Sequence, residues 1–454
     1  MTDILIVILA VIFVLGIAIN IHEFGHFIVA KFFGMRVEAY SFFGLGPRIW
    51  GFKVGHTDYR ISAIPLGAYV KLYGDEATAA LEGGESDGEK VPDEELYELR
   101  PRWQKFLVML GGPFMNIVLA LGIPFFGAWI YGVPSMPAPV VGVVKAGGAA
   151  EIAGIQKGDR VVNFGGQENP TWERIEHDAL VSPDQPIPVT VERGGQKVQL
   201  SIKPTKSDVK GNVIGDLEFQ PDMGVEPVIV GTIKADAPAA SSGLQVGDRV
   251  LTFNGQTVRN TSELTSQIRE NKDAPAKMTV ERGGTQQEIK TQAKLDDDGV
   301  YRIGIGFGKG NITTREKVGI GQAASFAVNA NLEIIRLTGK VFGQLFAGQR
   351  SVKDAGLAGP VGIVQIISQV VKEAGFVGLL SILAVISLNL GVFNLLPIPL
   401  LDGGQIMVLG IEKVMSWFGR TLSMAIKEKI QLAGLAIILL LMVFTLFLDI
   451  SRFF

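Results

Sequence analysis

Residues 4–29 read ILIVILAVIFVLGIAINIHEFGHFIV. Apart from Asn20, His22, Glu23 and His26 the run is apolar. At about 1.5 Å per residue it is long enough, as a helix, to cross a hydrocarbon core of about 30 Å. A cleaved signal peptide has a basic n-region and a small-residue site followed by a polar start. This run has neither, so it is expected to remain as a membrane span.

Three further runs match it in character. Phe106–Tyr131 carries Gly111, Gly112, Pro113 and Asn116 near its start, a composition expected to bend the helix or pack it closely. Phe376–Leu396 is interrupted by Asn389 and Asn394, and Leu432–Leu448 is nearly free of polar groups. Charged residues make up only 19% of the 454, and mean hydropathy is +0.31, both in keeping with a lipid bilayer as partner. The net charge of −3 gives no ground for nucleic-acid binding. Lys31, Arg36, Arg48, Lys53, Arg60 and Lys71 follow the first run, and Lys413, Arg420, Lys427 and Lys429 lie before the fourth. The positive-inside rule therefore places both segments in the cytoplasm, with the region from about 132 to 374 and both termini outside.

The polar residues of the first run carry the chemistry. His22-Glu23-Phe24-Gly25-His26 is H-E-x-x-H. On a helix, positions i and i+4 share a face, so two imidazoles reach one metal, and Glu23, one step round, is placed to act as general base on water. Ionisable residues in a span cost about 2.5–3.5 kcal/mol each on insertion scales, and a metal offsets that cost by giving them partners. A proton or ion pathway is the alternative reading. The chain has no cysteine and four histidines, so a Cys-ligated site is excluded, and zinc is the metal expected of imidazole and carboxylate ligands.

Catalytic zinc takes three protein ligands and keeps one position open. His56 falls in a polar loop and His177 in the outer region, which leaves Asp402, in NLLPIPLLDGG at residues 394–404. It stands at the inner end of the third run, the depth expected of His22. Pro397 and Pro399 prevent a regular helix there, and Gly403 and Gly404 permit a sharp turn. The plain alternative for Asp402 is an N-cap of the following helix.

The outer region repeats itself at one constant spacing of 89 residues: GIQKGDRV at 154–161 matches GLQVGDRV at 243–250, and VERGG at 191–195 matches VERGG at 280–284. Two mainly-β domains are expected, and the G-[IL]-x-x-G-D-x-[IV] pattern resembles bacterial PDZ domains. They are expected either to bind peptide as an added strand or to act as a size filter.

Taken together, H-E-x-x-H, Gly112-Pro113-Phe114-Met115-Asn116, the tandem PDZ-like repeat and N-x-x-P-x-P-x-L-D-G resemble the site-2 protease family over essentially the whole chain. The resemblance implies zinc on His22, His26 and Asp402, water activation by Glu23, and substrate contacts from Asn389, Asn394, Pro397 and Pro399. Asn116 is read as support for the site or as interhelical glue. The implied substrate is a single-pass membrane protein, an anti-sigma factor already cut outside by another protease, and also remnant signal peptides.

Strand-like segments punctuated by glycine between Arg36 and Tyr73 suggest a β-hairpin beside the site, whose edge, near Gly67 and Tyr69, would hold substrate extended. The family resemblance implies a membrane-reentrant β-loop here.

The expected architecture is a polytopic α-helical membrane protein with four transmembrane helices, a membrane-associated β-hairpin element and two mainly-β PDZ domains. It divides into a first span (1–31), β-loop (32–74), acidic cytosolic linker (75–105), second span (106–131), PDZ domains (132–222 and 223–310), an amphipathic segment serving as gate or tether (311–375), a third span (376–404), and a cytosolic segment with the fourth span (405–454). A non-enzymatic membrane scaffold is the rival function; it leaves His22, Glu23, His26 and Asp402 without purpose.

Overall fold

The computed structural model describes residues 2–64, 67–74, 91–135, 137–209, 212–296, 299–307, 315–352, 354–355, 358–420 and 422–451. It divides into two compact units: Met1–Gly132 with Lys317–Gly339 and Gly356–Phe454, and Val133–Glu316 with Lys340–Ala355.

Among the described residues of the first unit, four helices are long and apolar enough to cross a membrane: Ile4–Phe32, Arg102–Tyr131, Pro360–Asn394 and Lys429–Ser451. They belong to α1 (Thr2–Phe32), α2 (Arg102–Tyr131), α4 (Pro360–Asn394) and α6 (Met424–Ser451), with α3 (Ile320–Phe346) and α5 (Asp402–Trp417) between. Ala10, Val14 and Ala18 of α1 are buried with Ile367, Leu379 and Leu383 of α4, and Leu119 and Ile123 of α2 pack on this cluster. The faces turned outward, such as Ile4 and Leu9 of α1 or Leu440, Val443 and Phe447 of α6, are apolar, as lipid contact requires.

Small residues bring the helices together. Gly25 of α1 and Gly111 of α2 meet backbone to backbone, and a Cβ at Gly112 would overlap the His26 ring. Gly375 breaks α4 at φ 57° and ψ −143°. The stretch ahead of the break is tied to α6 by the buried Asp449 carboxylate, which accepts the N–H groups of Gly359 (3.0 Å) and Gly362 (2.9 Å). That cap compensates the start of a helix whose own N-cap, Gly359, has no side chain to offer. Asn331 of α3 donates to the Ala120 oxygen of α2 at 3.1 Å.

Between α1 and α2 lies a four-stranded sheet of β1 (Val37–Phe43), β2 (Leu45–Val54), β3 (Thr57–Ile64) and β4 (Tyr69–Leu72), in the order β2-β3-β1-β4. The expected hairpin, β2–β3, is thus half of a larger mixed sheet in which β1 runs parallel to β3 and antiparallel to β4. Burial explains the difference. Val37, Ala39 and Tyr40 of β1 are covered, so β1 sits centrally, whereas Ile49, Trp50, Phe52 and Val54 of β2 are exposed at the edge.

Most of the acidic stretch expected as a linker, residues 75–90, lies outside the described residues. Its described end is not merely solvated: Glu95 pairs with Arg36 at 2.6 Å and Glu98 with Lys105 at 2.7 Å.

The second unit holds two β domains with equivalent cores. Val161, Phe164, Ile175 and Val191 are buried in the first, and Val250, Phe253, Leu264 and Val280 in the second. The repeated Gly-Asp and Arg-Gly-Gly motifs close on each other. Arg193 makes two 2.7 Å bonds to the buried Asp159, and Arg282 does the same to Asp248. Each Asp also accepts a backbone N–H of its own turn, from Gln156 and Gln245. Within this unit Lys340 donates to Asp178 at 2.8 Å.

Glu263 of the second domain receives Arg259 at 2.7 Å and Lys157 of the first domain at 3.0 Å. Burial pushes its carboxyl up, but Arg259, through side chain and backbone, and Lys157 outweigh this and hold it down at about 2. An unfolded Glu titrates near about 4.3. Because the folded value is the lower one, this stabilisation is fully present above about pH 4.3 and is lost as pH falls toward 2. The melting temperature of the protein in detergent is expected to fall over that window, and Glu263→Gln to flatten part of the fall. Equal slopes for the two proteins would count against the assignment.

Candidate metal centre

The H-E-x-x-H stretch lies in the last third of α1, unbroken helix to Phe32, so His22 and His26 stand one turn apart on one face, their rings edge to face with centroids 4.8 Å apart. Both are buried, at 6% and 9% exposure. Asp402 arrives from α5. After α4 ends at Asn394, Pro397 and Pro399 forbid continuation, and the chain doubles back through Leu400 at φ 85°. Gly403 and Gly404 then fit against the Leu395 and Ile398 carbonyls, where a Cβ would collide. Asp402 is the first residue of α5 and makes no capping bond, so its carboxylate is left to face the imidazoles.

Ligand atoms of His22, His26 and Asp402 lie within 4.8 Å of one another, and among the described residues no other cluster of His and carboxylate groups does so. His22 Nε2 is 3.2 Å from His26 Nε2 and 3.1 Å from Asp402 Oδ2, while His26 Nε2 is 3.4 Å from Asp402 Oδ1. Zinc bonds of about 2.0–2.1 Å to nitrogen and oxygen give tetrahedral ligand-to-ligand edges of about 3.3 Å. The His–His spacing matches such an edge, and each imidazole has a carboxylate oxygen of Asp402 at a similar distance, Oδ2 for His22 and Oδ1 for His26. Asp402 Oδ2 is moreover buried and, apart from His22 Nε2 at 3.1 Å, has no hydrogen-bond partner, which is costly for a carboxylate unless a cation joins them. The donor set fits a zinc ion.

Glu23 is half-buried beside the triangle, within electrostatic range of His26, His22 and Asp402, and its carboxylate accepts the Val70 backbone N–H from β4. The Asn394 amide nitrogen lies 3.2 Å from His22 Nε2 and the Asn116 amide 3.2 Å from His22 Nδ1, so both come to the site. Asn389, more than a turn before Asn394 on α4, is half-buried and shares none of the described hydrogen bonds of the triangle. Pro397 is exposed, and Pro399 packs against Gly434 of α6. Gly67 and Tyr69 stand at the β4 edge of the sheet, with Gly67 at φ 97° and its oxygen accepting Gly44 N–H at 2.8 Å. His56 sits in the β2–β3 turn and His177 in the helix Trp172–Leu180 of the second unit.

Sequence reasoning missed three contributors. The Val108 carbonyl holds His26 Nδ1 at 2.8 Å, the Val70 N–H meets Glu23, and Ser387 of α4 bonds to Asn116. Two are backbone groups, which no residue pattern reveals.

The model of peptidase family M50 matches residues 10–441. The chain belongs to peptidase family M50. A relative from Vibrio cholerae named "Putative zinc metalloprotease" is 30% identical with complete coverage of both chains. The regulator of sigma-E protease RseP of Escherichia coli is 29% identical over 96% of this chain and 97% of its own, and that of Salmonella typhimurium is 29% identical over 98% of each. Among solved structures, the PDZ domain of an SdrC-like protein from Listeria monocytogenes aligns with 18% of this chain and 87% of its own, at 25% identity and TM-score 0.17. As an M50 peptidase the chain is a zinc metalloprotease of the inner membrane, and the scaffold reading is set aside.

Proposed function

We propose that this M50 peptidase cuts within the transmembrane segments of single-pass proteins, with His22, His26 and Asp402 as zinc ligands and Glu23 as general base. The observation that carries this reading is a zinc-sized donor triangle built on helices long and apolar enough to span a membrane. Zinc, when bound, supplies Lewis acidity toward a carbonyl oxygen and toward water. The chain's own residues do the rest. Glu23 takes a proton from the attacking water and passes it to the leaving amide nitrogen. Asn394 offers an N–H to oxygen at the same place. Val108 and Asn116 hold the imidazoles in position from behind.

A helical substrate hides its carbonyls in hydrogen bonds and has to be drawn out. The β4 edge, reaching Glu23 through Val70, is suited to take an unwound segment as an added strand, and the apolar edge of β2 suits a lipid setting. Gly67→Pro forces a negative φ on a residue at φ 97°, and Tyr69→Pro removes the first backbone N–H of β4. Each is expected to lower cleavage at least about tenfold with zinc content unchanged. Cleavage at wild-type rate in both would remove β4 from the mechanism.

The names of the relatives, regulators of sigma-E, support a substrate in sigma-factor regulation; an anti-sigma factor shortened beforehand by another protease, and remnant signal peptides as a further class, rest on the family resemblance. The basic segments on either side of the site support a cytoplasmic position for it, with both termini and the two β domains in the periplasm. The β domains, read as PDZ domains, would exclude intact substrates by bulk or hold peptide. Asn389, Pro397 and Pro399 remain proposed substrate contacts along the broken end of α4, and α3 with its following segment a gate or tether.

The reading is tested in liposomes with a tagged single-pass peptide lacking its outer domain. Cleavage inside the apolar segment is expected, abolished by 1,10-phenanthroline and restored by added zinc. Cleavage only outside that segment, or cleavage indifferent to the chelator, would overturn it.

A further inference from the structure

The two imidazoles of the centre are held from behind by different kinds of group. His26 Nδ1 lies 2.8 Å from the Val108 backbone oxygen, which only accepts. His26 therefore carries its proton on Nδ1 and turns the Nε2 lone pair inward. His22 needs the same tautomer, because its Nε2 is the atom 3.2 Å from His26 Nε2 and 3.1 Å from Asp402 Oδ2. Behind His22, however, stands the Asn116 amide nitrogen at 3.2 Å, the donating end of a group whose accepting end, Oδ1, faces Ser387. Only the accepting end suits an Nδ1–H.

A half-turn of the amide exchanges its oxygen and nitrogen and disturbs nothing else, so the bonds made once a metal is bound decide between the two orientations. Asn116 Oδ1 lies 3.2 Å from Ser387 Oγ, and that hydroxyl lies 3.0 Å from the Asn116 backbone oxygen. The hydroxyl has one proton, and the backbone oxygen, which cannot donate, takes it. When the amide turns over, the lone pairs of Oγ accept from its NH2 and Oδ1 comes to the His22 Nδ1–H, the orientation that a metal on Nε2 requires. Ser387 and Asn116 are both at 0% exposure, so solvent offers neither an alternative partner. The close approach that makes this possible comes from Gly391, one turn after Ser387, where a Cβ would stand 3.0 Å from the Pro113 oxygen and 3.3 Å from Asn116 Cβ.

Resting on the zinc reading above, we propose that Ser387 and Asn116 form a relay from α4 through α2 to α1 that fixes the Nδ1–H tautomer and ring orientation of His22. Asn116 is a positioning residue for the metal, and Ser387 sets which way the Asn116 amide points. The relay also links all three helices that frame the site, so a shift of α4 against α2 is felt at a zinc ligand.

The test is zinc affinity of the full-length protein in detergent, measured by competition with a chromophoric chelator. Asn116→Leu, which keeps the shape and loses the acceptor, is expected to weaken zinc about 10- to 100-fold. Asn116→Asp keeps an acceptor and is expected to stay within about threefold of wild type. Ser387→Ala frees the amide to turn and is expected to cost about 3- to 10-fold, but nothing further in the Asn116→Asp background, where the side chain has no wrong end. Wild-type affinity in Asn116→Leu, or equal losses in Asn116→Leu and Asn116→Asp, would overturn the relay while leaving the zinc reading intact. Wild-type protein that binds no zinc, or zinc unaffected by His22→Ala, would remove both.

Discussion

Glu23→Gln is expected to bind about one zinc per chain, as the wild type does, and to cleave a single-pass peptide about 10²- to 10⁴-fold more slowly. The substitution preserves shape and removes the one carboxylate beside the triangle that is not committed to it. Glu23 projects one step from His22 on α1 and is held by the Val70 N–H, which a Gln side-chain oxygen also accepts, so the position of the side chain should survive. What is lost is the ability to take a proton. Zinc counted by atomic emission and cleavage followed on gels separate the two effects. Unchanged cleavage in Glu23→Gln would remove it as the base.

Asp402→Ala is expected to act one step earlier, lowering zinc content well below one per chain and abolishing cleavage. Two imidazoles alone leave tetrahedral zinc short of a protein ligand. The variant should still fold, because the doubling-back of the chain depends on Gly403 and Gly404 against the Leu395 and Ile398 carbonyls, and Asp402 caps nothing. Full zinc occupancy in Asp402→Ala would assign the third ligand elsewhere.

Much of this was legible in the sequence because the physical signals are strong there. Long apolar runs give the four helices, since a bilayer sets their length. The fixed 3.6-residue period of a helix brings His22 and His26 to one face without knowledge of the rest. Asp402 is 376 positions from His26, and only the Pro and Gly residues around it hinted at a turn that would present it.

The sheet was read only in part. The alternation and glycines of β2 and β3 mark a hairpin, but the central place of β1 depends on its burial against distant residues such as Leu72 and Val108. The break at Gly375 was not visible, because one glycine between two apolar stretches is compatible with continuous helix. Residues 311–375 were read as one or two amphipathic helices; α3 and the first part of α4 occupy much of that range. The supporting bonds of Val108, Val70 and Ser387 arise from the packing of α1, α2, α4 and β4, and no local pattern encodes them.

The most direct test of the proposed centre is X-ray absorption at the zinc edge on the purified wild type and Asp402→Ala. The expected wild-type spectrum shows two imidazole nitrogens and oxygen ligation at about 2.0–2.1 Å, with no sulfur shell. In the variant the expected zinc signal is lost or its oxygen shell reduced. A wild type without zinc, or a first shell unaltered by removing Asp402, would contradict the centre built on His22, His26 and Asp402.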